Sequence, residues 1–303
     1  MDLSAEPGRL SGQESFLFGR DGLPRPVWRA FLFALLYLLV LRISVRIYFW
    51  IYGPIAGLPN PAFYALQDVF LLLESWAMLA LADRRSFQTL GMWFYSGWWR
   101  EMLAGAGIAT ALMSVTIAML VATRSVVYQG LAAASSQEAA QWSRVVLLLL
   151  LAAASEEFVF RGYVLQRLMD SFGTPAAVLI TSVLFGLAHS LNPSATAFST
   201  VNTMLAGMLL SVAYVRTRAL WLPIGLHFTW NFLLGPIFSL PVSGILISPV
   251  LFQPVLTGHA WLTGGLYGPE GGAALTVICC VGIIWLARSR TIRVSPAMQE
   301  ALQ

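Results

Sequence analysis

Eight apolar runs, each close to the length a bilayer demands, leave this chain few folds to choose from. They cover about 29–51, 62–83, 102–123, 145–168, 174–191, 196–215, 221–240 and 272–288. A hydrocarbon core of about 30 Å asks for ~20 apolar residues per helix. Backbone in lipid must satisfy its own hydrogen bonds, which leaves helices or a closed barrel. The expected fold class is therefore all-α, a polytopic membrane bundle of about eight transmembrane helices. Composition agrees: 58% of the residues are hydrophobic and only 11% charged, against about 25% charged in a soluble domain.

All 18 basic residues are arginine, and they lie singly or in pairs between apolar runs. That scatter reads as a topology signal rather than a nucleic-acid patch, so no nucleic-acid partner is expected. Arg9, Arg20, Arg25 and Arg29 precede the first run; Arg84, Arg85, Arg100, Arg167, Arg216 and Arg218 fall on the same side, as do Arg288, Arg290 and Arg293. The opposite connections 52–61, 192–195 and 241–271 hold no arginine, and 124–144 has only Arg124 and Arg144 at its ends. The excess of arginine predicts cytoplasmic N- and C-termini and an even number of spans. The first 25 or so residues show no signal-peptide pattern. The adjacent Cys279 and Cys280 read as packing residues with no redox or metal role. The glycine- and proline-rich stretch 241–271 predicts a structured or re-entrant external loop, with His259 belonging to that loop rather than to a site. The organisation expected is a polar cytoplasmic segment 1–28, two additional spans and a linker over 29–100, a core over 101–288 and a cytoplasmic tail 289–303.

Ionisable groups within membrane spans usually face the bundle interior or a cavity. One set is Arg42 and Arg46 in the first span with Asp68 and Glu74 in the second; its expected role is structural ion pairing, and the alternative is an ion path. The stretch "SEEFVFR" differs in kind. Glu157 and Arg161 stand at i and i+4, where their side chains meet on one helix face. Glu156 is turned about 100° away and lacks that partner. A free carboxylate in an apolar helix suits a general base. "FGLAH" sets Phe185 and His189 at i and i+4, and "HFTWN" does the same for His227 and Asn231. A Glu, two His and an Asn on three helices outline a base, an orienting group and two donors, the parts needed to hydrolyse an acyl bond. Counting residues from the helix ends puts Glu156 and His189 at one depth but His227 nearer the cytoplasm.

"EEFVFR", "FGLAH" and "HFTWN", in that order, resemble the E-E-x-x-x-R, F-x-x-x-H and H-x-x-x-N motifs of the CAAX protease and bacteriocin-processing (CPBP, or Abi) family of intramembrane proteases. "TGGLYGPEGG" resembles a loop found after the last motif in bacterial members. The likeness covers roughly residues 100–288 and implies an intramembrane endopeptidase, in the bacterial inner membrane. Its implied substrate is a leader peptide or a lipidated, prenylated protein. Carried over, it implies that Glu156 with His189 positions and deprotonates a water. His227 and Asn231 would stabilise the oxyanion, with Glu157, Arg161 and Phe185 in support. The family has also been described as metalloproteases, in which case Glu156, His189 and His227 would hold zinc. The absence of H-E-x-x-H favours the metal-free glutamate mechanism. The rival classes are a non-catalytic membrane scaffold or immunity protein, and a transporter using Arg42, Arg46, Asp68 and Glu74.

Overall fold

The computed structural model describes residues 16–19, 22–53, 60–132 and 138–303. Most of the polar segment 1–28, Arg9 and Arg20 included, lies outside the described residues, as does the middle of the turn expected at 52–61.

Each expected span is helical. The first is α1 (Pro26–Tyr52), the second α2 (Pro61–Ala77), prolonged by a π-helical turn over Met78–Asp83, and the third α3 (Trp98–Ala122). The fourth is compound: α4 (Glu138–Glu157), a π-helical turn over Phe158–Tyr163 and α5 (Val164–Phe172). Then come α6 (Thr174–His189), α7 (Ala197–Thr217) and α8 (Trp221–Phe232), the last continued by a π turn over Leu233–Ile237. After the long connection, α10 (Ala273–Arg288) closes the bundle, preceded by the single turn α9 (Ala260–Thr263) and followed by α11 (Pro296–Ala301). Pro26 and Pro61 open their helices where a missing N–H costs nothing, and Asn60 caps α2 by accepting from the Ala62 N–H at 2.9 Å. The α1 and α3 helices, α2 with its π turn, and α7 are long and apolar enough to cross a membrane; α6 and α10 are shorter apolar helices. The molecule is an all-α membrane bundle.

The C-terminal tail folds back onto the end of the bundle at which α8 begins: Met298 lies with Tyr95, Ala219 and Trp221, and the Arg216 guanidinium donates to the Ile292 carbonyl at 2.7 Å. On the opposite face the structure adds something the apolar pattern did not predict. Val126–Leu131 (β1) and Phe252–Leu256 (β2) pair antiparallel, so the connections 124–144 and 241–271 form a ribbon. Periodicity misses such strands because β1 is exposed on both faces beyond Val126 and Tyr128.

Small residues set the closest approaches, as expected where lipid gives helices no hydrophobic drive to associate. A Cβ on Gly105 of α3 would lie 2.2 Å from the Leu222 carbonyl, and one on Gly225 of α8 would lie 2.1 Å from that of Met102. The α3–α8 contact therefore admits only glycine at both points. Gly186 of α6 faces Thr200 and Met204 of α7 in the same way. One apolar core joins α3, α7, α8 and α10 around Met113, Leu209, Leu226 and Ile278. A second joins α1, α2, α5 and α6 around Phe33, Leu71, Leu165 and Val178.

The first two helices pack straight onto the compound fourth span, α1 against α5 and α2 against α4. Asp83, at the end of α2's π turn, accepts from Arg29 Nη1 at 2.6 Å and Arg167 Nη1 at 2.7 Å. The ion pairing expected between α1 and α2 is not formed. Among the described residues, Arg42 and Arg46 make no ion pair with Asp68 or Glu74, and both arginines lie on the exposed outer face of α1. Asp68 instead accepts from the Ser155 hydroxyl of α4. Both oxygens of Glu74 are buried without a hydrogen-bond partner. Matching depth brought the charges level, but the rotation of α1 about its axis carried its arginines outward.

Candidate active site

The twin glutamates end α4 at the point where the helix widens into its π turn. Single π turns recur at functional sites because they re-aim side chains without breaking the helix. Glu157 and Arg161 meet across that turn, Oε1 to Nη1 at 3.0 Å, with neither side chain exposed at all. Arg161 is further satisfied by the Gly207 carbonyl at 2.9 Å and the Ser211 hydroxyl at 3.4 Å. Its guanidinium also lies over the Phe185 ring at 4.3 Å, a cation–π contact in a dry setting. The supporting role expected of Phe185 thus has a geometry: its ring centroid is 4.5 Å from that of His189 and 6.1 Å from that of His227.

Glu157 holds a second partner that spacing along the chain does not reveal. The same Oε1 lies 2.8 Å from Nδ1 of His227, on α8. A carboxylate held against a guanidinium accepts, so Nδ1 carries the proton and Nε2 faces the other way. His189 is oriented similarly, with Nδ1 2.8 Å from the Phe185 carbonyl one turn back. Both Nε2 atoms then point at Glu156, whose Oε2 lies 3.6 Å from that of His189 and 3.9 Å from that of His227. That oxygen is buried and accepts no hydrogen bond, although the Glu156 side chain as a whole is 36% exposed.

The structure therefore brings Glu156, His189 and His227 to one depth, and the offset expected for His227 is corrected. The α5–α6 hairpin runs about 15 Å past the start of α8 at the terminal face, taking 1.5 Å of rise per residue. Counting from the helix ends assumed that the ends were level. The α5 helix is strongly amphipathic, with Arg167 buried under Asp83 and Asp170 at the rim, as suits a segment beyond the apolar slab.

Asn231 shares a cavity of about 140 Å³ with Glu156, His189 and His227. Leu149, Leu209 and Leu226 line much of the remainder, and Cys279 forms part of the wall, while Cys280 is exposed. His259 sits exposed in the loop ahead of α9, away from the cavity, as expected. Residue types alone missed Trp230, Ser243 and Glu270, which also face the cavity. Trp230 carried a signal, since it stands three residues after His227 and so shares its helix face. Glu270 carried only a weaker one, a lone carboxylate among loop glycines.

Among the described residues no group of three or more His, Cys, Asp and Glu side chains is placed to hold a metal ion. Glu156, His189 and His227 converge on one point of the cavity without touching one another. No curated protein and no solved structure matches this chain. The comparison with family models gives one: residues 138–233, from the first residue of α4 into the π turn after α8, match the model described as type II CAAX prenyl endopeptidase Rce1-like. That stretch contains every one of the paired motif residues, and over it this membrane protein is similar to the type II CAAX prenyl endopeptidases of the Rce1-like kind.

Proposed function

We propose that the protein is an intramembrane endopeptidase whose water is activated by Glu156. The observation that carries this is the convergence of a free carboxylate oxygen and two oriented imidazoles on one cavity. Distances of 3.6 and 3.9 Å are too long for direct hydrogen bonds, which leaves the Glu156 oxygen free to take a proton from a water in the cavity. Glu156 takes a proton from that water as its oxygen attacks the scissile carbonyl, and His189 Nε2 holds the water in place. The negative charge then grows on the carbonyl oxygen, within reach of Asn231 and His227. Nδ1 of His227 is committed to Glu157, so His227 donates to the oxyanion only as an imidazolium. The Glu157 carboxylate orients the ring and stands opposite the charge as it forms, much as an aspartate does for the histidine of a serine-protease triad. Collapse of the tetrahedral intermediate breaks the C–N bond, and the proton gathered by Glu156 passes to the leaving amine.

The working core in this reading spans 101–288, with 29–100 as its buttress and the termini in the cytoplasm of a bacterial inner membrane. The substrate class is a prenylated or otherwise membrane-associated peptide, and the mechanism uses no metal. Purified wild type should cleave an internally quenched prenylated CAAX peptide, and Glu156→Gln should not while remaining folded. Full activity in Glu156→Gln would overturn the mechanism. Stoichiometric zinc in the purified protein, with activity lost to chelator and restored by zinc, would replace it with a zinc-bound one.

A further inference from the structure

The loop that separates α8 from α10 contributes a wall to the cavity, and one carboxylate holds that wall in place. Val242–Ile245 is a tight turn, closed by hydrogen bonds of 2.9 Å in both directions between Val242 and Ile245. Val242, Ser243, Ile245 and Ile247 all face the cavity that contains Glu156. The turn is held on three sides. Glu270 Oε2 accepts from the Ser243 N–H at 2.5 Å and from its hydroxyl at 2.8 Å. Asn192, three residues past His189, donates to the Ser243 carbonyl at 3.1 Å. The Gly244 N–H donates to the Tyr267 carbonyl at 2.8 Å. The backbone can be held this way only at some strain, since Ser243 has φ +47°. Gly244, at φ +84°, passes so close to Pro193 that a Cβ would lie 2.0 Å from its carbonyl oxygen.

Glu270 also reaches the catalytic helix. Its Oε1 accepts from the Trp230 indole N–H at 3.0 Å, on the turn of α8 that carries His227 and Asn231. The carboxylate thus serves three donors from two segments while 8% exposed. Only a group that is an acceptor at both oxygens can do so; a glutamine would set its own N–H against one of them.

We infer that Glu270 is a positioning residue that clamps the Val242–Ile247 segment to α8 and so builds the substrate-facing wall of the cavity. The activation of water lies elsewhere, on α4 and α6. Loss of the clamp therefore acts on substrate binding, because a wall that must be ordered at each encounter weakens affinity. The kinetic part of this rests on the endopeptidase reading; the clamp does not.

Two readouts separate them. With an internally quenched farnesylated CAAX peptide, Glu270→Gln should raise KM by about tenfold, the scale of one lost charge-assisted hydrogen bond, and leave kcat within about threefold. In a Cys279→Ala, Cys280→Ala background, a cysteine placed by Ile245→Cys should react with maleimide about tenfold faster once Glu270→Gln is added. Should Glu270→Gln fail to fold, Ser243→Ala removes one bond of the three and must move both readouts the same way by a smaller factor. Unchanged labelling in the folded variants overturns the clamp. Faster labelling with unchanged KM, or a fall in kcat alone, overturns the substrate-facing role. If the wild type cleaves nothing, the endopeptidase reading falls, and the labelling still decides the clamp.

Discussion

Two places in this bundle bury carboxylates among apolar helices, and they treat them in opposite ways. On α4, Glu157 touches Arg161 and His227, and Arg161 in turn reaches Gly207 and Ser211, so three helices share one charged knot. On α2, Glu74 has neither oxygen satisfied, and the arginines that might have served it face outward from α1. A charge taken out of water is costly unless paired and hydrogen-bonded. The knot on α4 meets that demand by holding α4, α7 and α8 in fixed register. Glu74 meets it in no such way, and nothing in the structure gives it a task in the cavity. The contrast teaches that the charged groups in the membrane are organised around α4–α8, the segment that matches the endopeptidase family.

The sharpest test of the contrast is at the site itself. Glu156→Gln should lower cleavage by about 10³-fold or more, within the span attributed to general-base catalysis; quenched-peptide assays read it directly, and wild-type rates would dissolve the asymmetry. Next in size, Arg161→Ala strands a fully buried Glu157 and should cost about 3–5 kcal/mol, seen as an earlier thermal unfolding transition in detergent. An unchanged transition would mean that the knot is not what holds α4 to α7. Asn231→Ala should lower kcat by about 10²-fold with KM little changed, the behaviour of a lost oxyanion donor. A rise in KM alone would move Asn231 from the chemistry to binding. The smallest effect belongs to α2. Glu74→Gln keeps the shape of a residue that makes no ion pair, so cleavage should stay within about twofold and stability should not fall, since an unpaired buried carboxylate is removed. Loss of function there, with Glu156→Gln still active, would turn the comparison round and favour an ion path through α1 and α2.

Much of the fold was legible because lipid simplifies the problem. Run length predicts a span almost alone, and all eight expected runs fall on helices, most of whose ends shift by a few residues. The i,i+4 spacing of Glu157 and Arg161 predicted their pair, since one helix fixes the geometry of both. Phe185 and His189 were legible for the same reason. Contacts between helices were not. Arg42 and Arg46 were level with Asp68 and Glu74 in depth and still failed to meet them, because depth says nothing about rotation. His227 looked too shallow because helix ends were taken as level, whereas α5 and α6 extend beyond the start of α8. The β1–β2 ribbon and the Glu270 clamp were invisible for a further reason. Both depend on loops more than a hundred residues apart, or on turn geometry with positive φ, neither of which leaves a periodic trace.

The sequence by itself determined that this chain crosses a membrane as helices, and that one carboxylate of the pair Glu156–Glu157 is matched within its own helix. Those are consequences of local chemistry: apolar length, backbone hydrogen bonding and a 3.6-residue turn. Only the tertiary structure decided that His227 locks onto Glu157, that Glu156 faces both imidazoles, and that Glu270 ties the loop to α8. Each of these depends on how separate helices rotate and slide against one another. Here glycine contacts such as Gly105 with Leu222 and Gly225 with Met102 set that placement, and no single helix records it.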